Sequence, residues 1–100
     1  MDNIKFNEWK EQIEKDFKAT IELIKKNTEK IEQLKDMIRL VRVAKDRFSS
    51  DEKIRVEYWI KYGQPLELEK ATLINENSEL DSKRKELNCL LDTLVQFSPQ

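Results

Sequence analysis

A seven-residue repeat of large apolar side chains runs through the first half of the chain. Thirteen positions carry the repeat, and nine of them hold large apolar residues. Because helical residues three and four apart share one face, this spacing predicts one long helix, about residues 3–48, with a coiled-coil seam. Such a helix would be roughly 65 Å long, so we expect an elongated molecule. The seam positions are Phe6, Lys10, Ile13, Phe17, Thr20, Ile24, Asn27, Ile31, Leu34, Ile38, Val41, Lys45 and Phe48.

A polar stretch, FSSDEK, ends the repeat. Ser49 followed by Glu52 matches a capping box, in which the serine oxygen accepts a free helix amide and the glutamate bonds back to the cap. We therefore predict a second helix over about residues 50–62. Gly63 suits a left-handed cap at its end, and Pro65 suits the first position of a third helix.

The predicted third helix, about residues 65–97, has a leucine at every seventh position. The positions that would complete a parallel zipper seam include Lys70, Asn77 and Arg84, which makes a poor parallel self-dimer. We expect the leucines to pack against helix 1 of the same chain instead. The pattern leaves open whether helix 3 continues along helix 1 or folds back over helix 2. The five leucines are Leu66, Leu73, Leu80, Leu87 and Leu94.

These elements predict an all-α fold in a single domain over residues 1–100. A long N-terminal helix would pack antiparallel against two shorter helices in an elongated coiled-coil hairpin, with an elbow at Gly63–Pro65. Amphipathic helices in so small a domain bury only a narrow shared seam. We therefore expect association into a larger bundle, either as a homodimer or with an obligate helical partner.

Composition removes most catalytic chemistry. The chain has no histidine, one cysteine (Cys89) and one glycine. It therefore lacks the usual neutral-pH base, a thiolate zinc site and a glycine-rich phosphate loop. Its twenty acidic residues show no EF-hand pattern and mostly alternate with lysine at helical spacing. We predict no catalytic, cofactor-binding or metal-binding residue, and no enzyme.

The segment VEYWIKYGQP holds three of the eight aromatic residues. On a helical wheel, one side of helix 2 carries Ile54, Tyr58, Trp59 and Tyr62, and another side carries Val56 and Ile60. A helix that is apolar on two sides needs two packing partners. We expect Ile54 and Tyr58 to face helix 1. The remaining apolar surface is either internal or homodimeric core, or a docking patch for another protein. The candidate partner-binding residues are Val56, Trp59, Ile60 and Tyr62.

Four of the five arginines lie within seventeen residues around the turn. They are candidates for contact with an anion or an acidic partner. The alternative is that nearby acidic residues neutralise them, with Arg42 and Asp46 forming an i, i+4 pair. The four arginines are Arg39, Arg42, Arg47 and Arg55.

These patterns favour a non-catalytic coiled-coil adaptor or assembly subunit that acts through helix–helix contacts with protein. The alternative is a small nucleic-acid-binding regulator that uses the arginine-bearing tip. The net charge of −1 gives no global attraction for nucleic acid, so we do not expect it as the main partner. Apolar runs of two or three residues predict no membrane span. A lone cysteine favours an intracellular site, cytoplasmic by default with the nucleus left open.

Overall fold

The computed structural model describes residues 3–97, which hold three helices and no strand. Helix α1 spans Asn3–Phe48, α2 spans Glu52–Tyr62 and α3 spans Gln64–Phe97. The predicted all-α fold class is confirmed. The helix ends lie within two residues of those expected from the apolar pattern, since that pattern is a local property of the chain.

The start of α2 differs from the predicted capping box. Asp51, not Ser49, is the N-cap, and its carboxylate accepts bonds from the amides of Lys53, at 2.9 Å, and Ile54, at 3.5 Å. The hydroxyl of Ser49 instead accepts a 3.0 Å bond from the amide of Asp51. A carboxylate is a stronger acceptor than a hydroxyl, and its negative charge also interacts favourably with the positive end of the helix dipole. Glu52 is consequently the first helical residue, one place after the cap rather than three.

The junction between α2 and α3 also differs from the predicted left-handed cap. Gly63 has φ −93° and ψ −44°, which is right-handed helical backbone. Its amide bonds to the carbonyl of Trp59 at 2.7 Å, and its carbonyl accepts from the amide of Glu67 at 3.0 Å. The helical bonding thus continues on both sides of the glycine. We assign the break to Pro65, which has no amide hydrogen to donate to the carbonyl of Lys61 one turn earlier.

Two compact units make up the chain, and each contains parts of α1 and α3. The termini unit is Met1–Lys26 with Asn77–Gln100, and the turn unit is Asn27–Glu76. In the termini unit, Nδ2 of Asn77 donates a 3.4 Å bond to the carbonyl of Ile24. Helix α3 therefore packs against α1 in this unit, and in the turn unit its Glu67 lies 3.3 Å from Arg42 of α1. Of the two arrangements that the apolar pattern left open, these contacts agree with a helix 3 that continues along helix 1.

The heptad positions of α1 form the core of both units. In the turn unit Ile31, Leu34 and Ile38 are buried, and in the termini unit Ile13 and Leu94 are buried. Apolar side chains at these positions leave water together, which is the main stabilising contribution that such a seam can make. The predicted inward face of α1 is confirmed except at Phe48, the last seam position, which is 65% exposed.

Two polar residues interrupt this core. Thr20 is buried, and its hydroxyl donates a 2.7 Å bond to the carbonyl of Asp16 one turn earlier. Asn27 is 5% exposed, and its amide nitrogen has no hydrogen-bond acceptor among residues 3–97. An unsatisfied buried donor costs about 1–3 kcal/mol, so Asn27 is a local weakness in the seam of the turn unit.

Candidate protein-interaction surface

Helix α2 packs on α1 through an aromatic stack. The ring of Tyr58 lies 5.0 Å from that of Phe48, and the ring of Tyr62 lies 4.9 Å from that of Tyr58, measured between centroids. Aromatic pairs at this separation contribute about 0.5–1.5 kcal/mol beyond their buried area. The expected contact of Tyr58 with helix 1 is therefore present. Ile54, expected on the same side, remains 41% exposed.

Trp59 lies beside this stack and is half-buried. The guanidinium of Arg42 lies 5.6 Å, and the ammonium of Lys45 5.8 Å, from its ring centroid. Both distances fit a cation–π interaction. The ring also lies directly against buried Gly63, where an added Cβ would overlap its carbon atoms. Trp59 is thus held by contacts within the turn unit.

Gly63 is required here for space rather than for backbone freedom. Helical φ and ψ at this residue would suit any amino acid, but the ring of Trp59 occupies the volume of a side chain. Residue spacing carries no signal for this close approach, because the contact depends on the rotamer of a residue one turn earlier.

The other apolar side of α2, which we call the outer face, consists of Val56 and Ile60. These side chains lie one turn apart and are 51% and 53% exposed. Helix α2 contacts α1 through a different side, which carries Tyr58. Val56 and Ile60 point away from the Tyr58 contact, since residues two positions from it are turned by about 200° around the helix. About half of each side chain is therefore open to solvent, although Val56 also lines a groove with Lys45 and Asp46 of α1.

Two shallow grooves flank α2. The charged groove, about 270 Å³, is lined by Lys45, Asp46, Glu52, Arg55, Val56 and Trp59. The aromatic groove, about 250 Å³, is lined by Phe48, Ile54, Glu57, Tyr58, Lys61 and Tyr62. All four predicted partner-binding residues therefore lie at these grooves or on the outer face.

Three of the four candidate arginines have acidic partners. Arg39 pairs with Asp36 at 3.4 Å, and Arg55 pairs with Asp46 at 3.7 Å. The expected pair of Arg42 with Asp46 is not formed, because Arg42 reaches across to α3 while Asp46 is bound by Arg55. Arg47 makes no ion pair with any residue from 3 to 97.

Glu67 of α3 forms ion pairs that the sequence patterns did not reveal. One of its carboxylate oxygens lies 3.3 Å from Arg42, and the other lies 3.2 Å from Lys70. The Lys70 contact is an i, i+3 pair that spacing alone could have indicated. The Arg42 contact joins residues far apart in the chain, and only the packing of α3 against α1 brings them together.

Residues 3–97 show no arrangement suited to metal binding: no group of three or more His, Cys, Asp or Glu side chains is placed to hold an ion. Cys89 is a free, exposed thiol. None of the helices in the described part of the chain is long and apolar enough to cross a bilayer.

No protein-family model, no curated protein and no solved structure matches the chain. The geometry of the turn unit is therefore the basis for a functional proposal.

Proposed function

We propose that the protein is a non-catalytic coiled-coil adaptor or assembly subunit that works through helix–helix contacts with other protein chains. The observation that carries the proposal is the exposed outer face of α2. Val56 and Ile60 are about half exposed on a helix whose opposite side is already packed on α1. Side chains four apart form a ridge that fits the groove of another helix.

The balance of buried and exposed apolar side chains supports the same proposal. Among the described residues five apolar side chains are buried, whereas sixteen large ones are exposed. Single exposed apolar residues are normal on a protein surface, but clustered ones mark interaction sites. Ten of the sixteen lie in the turn unit: Met37, Leu40, Val43, Phe48, Ile54, Val56, Ile60, Tyr62, Leu68 and Ile74.

The ion pairs of the turn unit weigh against the nucleic-acid alternative. Phosphate binding relies on basic side chains whose charge is available, and Arg39, Arg42 and Arg55 each lie within 4 Å of a carboxylate. The free thiol of Cys89 fits a reducing compartment. We accordingly place the protein inside the cell as part of this proposal.

A site-specific photo-crosslink tests the proposal. A photoreactive residue at Ile60 should form an adduct with a second protein chain in native extract. The same residue at Glu86, which is exposed on α3, is the matched control and should form none. The mass of the adduct identifies the bound chain, which is either another copy or a different protein.

A variant then connects the adduct to binding. Combined Val56→Ser and Ile60→Ser should abolish copurification of that chain while leaving the melting temperature of the isolated protein nearly unchanged, since both side chains lie outside the core. Raising the salt concentration should weaken binding only slightly, because the contact is apolar. Binding through phosphate contacts would instead fall steeply with salt. Absence of any Ile60-specific adduct would refute the proposed function, and so would wild-type binding of the captured chain by the double variant.

A further inference from the structure

The aromatic groove has an exposed apolar floor and one charge of each sign. Phe48 is 65% exposed, Tyr62 48% and Ile54 41%, so the floor is open to a partner. Glu57 and Lys61 are exposed and line the same groove. The ammonium of Lys61 lies 5.3 Å from the ring centroid of Tyr62, which holds the positive charge at the groove.

The groove residues of α2 share one helical stripe. Ile54, Glu57, Tyr58 and Lys61 have the spacing i, i+3, i+4 and i+7, which is the spacing of a surface that packs against another helix. The stripe is therefore suited to a helical partner rather than to a small molecule, and the shallow shape of the groove agrees with this.

The order of charges along the stripe is self-complementary. Glu57 and Lys61 lie one turn apart, so a two-fold axis between them places the acid of each copy opposite the base of the other. An isologous contact of this kind forms two Glu57–Lys61 ion pairs, one on each side of the two-fold axis. A strongly acidic or strongly basic partner, by contrast, would meet one like charge.

We propose that the aromatic groove binds the same groove of a second copy of this chain, with the two α2 helices antiparallel. The aromatic floor supplies the buried apolar contact, and reciprocal Glu57–Lys61 ion pairs between the copies fix the register. This inference rests on the proposed function and names one of its partners. It uses a different surface from the outer face of Val56 and Ile60, which stays available to another protein.

The two parts of the contact have different roles. Aromatic side chains in the centre of an interface carry most of the binding energy. Exposed ion pairs at its edge contribute little affinity but discriminate strongly against like charges. Charge reversal is therefore the most specific probe, because it changes the pairing without removing the apolar floor.

Sedimentation equilibrium of single charge reversals and of their mixture tests the proposal. Glu57→Lys alone and Lys61→Glu alone should each weaken self-association by on the order of tenfold, since both reciprocal pairs become repulsive. Mixing the two variants should restore near-wild-type association as a one-to-one heterodimer, in which every charge again meets its opposite. Circular dichroism checks that each variant is folded.

The controls carry the same charge changes on the exposed surface of α3. Glu86→Lys and Lys83→Glu should leave self-association unchanged. A wild-type chain that stays monomeric at every concentration would overturn the inference, as would single variants that associate normally or a mixture that fails to recover. None of these outcomes removes an Ile60 adduct with a different protein, so failure of this inference is distinguishable from failure of the proposed function.

Discussion

Substitution of Gly63 by alanine sets two effects of opposite sign against each other. Because Gly63 has helical backbone angles, alanine should gain about 1 kcal/mol from helix propensity. However, the new Cβ would overlap three ring carbons of Trp59, and overpacking of this kind costs about 1–3 kcal/mol. The ring of Trp59 would have to shift to make room, and the Arg42 and Lys45 charges that lie 5.6 and 5.8 Å from its centroid would be disturbed. We expect a net loss of up to about 2 kcal/mol.

A double-mutant cycle isolates the contact with the ring. In a Trp59→Ala background the obstruction is gone, so Gly63→Ala should stabilise the protein by about 1 kcal/mol. The two backgrounds therefore differ by a coupling energy of about 1–3 kcal/mol. If Trp59→Ala proves too unstable to measure, Trp59→Leu removes the ring and keeps an apolar side chain.

Urea unfolding followed by circular dichroism measures all four proteins. The protein concentration must be the same throughout, since self-association adds to apparent stability. The reasoning would be refuted if Gly63→Ala stabilised the protein equally in both backgrounds. That result would mean that the ring of Trp59 does not press on Gly63 in solution.

Three further changes test other parts of the structure. Asn27→Leu should raise the melting temperature, because it removes a buried amide nitrogen that has no acceptor among the described residues, a penalty of about 1–3 kcal/mol. Light scattering of this variant should show mixed association states. Lower stability with a single species would contradict the prediction. Asp51→Ala should cost about 1 kcal/mol in urea unfolding through loss of the α2 cap, whereas Asp51→Asn should cost less. Hydrogen bonds from Arg84, and then from Lys85, lower the pKa of Asp81 below its usual 3.8, so its stabilising contribution exists above that value and disappears as the pH falls through the lowered pKa. Asp81→Asn should accordingly be less stable than wild type near neutral pH and equal to it in strong acid, and a difference that persists in acid would contradict this assignment.

Much of the candidate surface could be found from residue order, but its internal contacts could not. The concentration of Tyr58, Trp59 and Tyr62 in one short helix is visible in the amino-acid sequence, and periodicity assigned Tyr58 to the side that packs on α1. Helical periodicity is not sufficient to show which apolar side chains remain exposed. Val56 and Ile60 are apolar and yet about half exposed, which only the folded structure shows.

Residue order alone was enough to place the helices and the buried seam. Ile31, Leu34 and Ile38 are buried as their spacing predicted, since helical periodicity is a local property and burial of an apolar stripe follows from it. The apolar pattern predicts where the two turns lie but not the contacts that form them. Asp51 caps α2, and Gly63 leaves room for the ring of Trp59. Those contacts, and the pairing of Arg42 with Glu67, depend on the folded arrangement. Each joins groups whose distance is set by how the chain packs, and the energy of a close approach or an ion pair depends on that distance rather than on spacing along the chain.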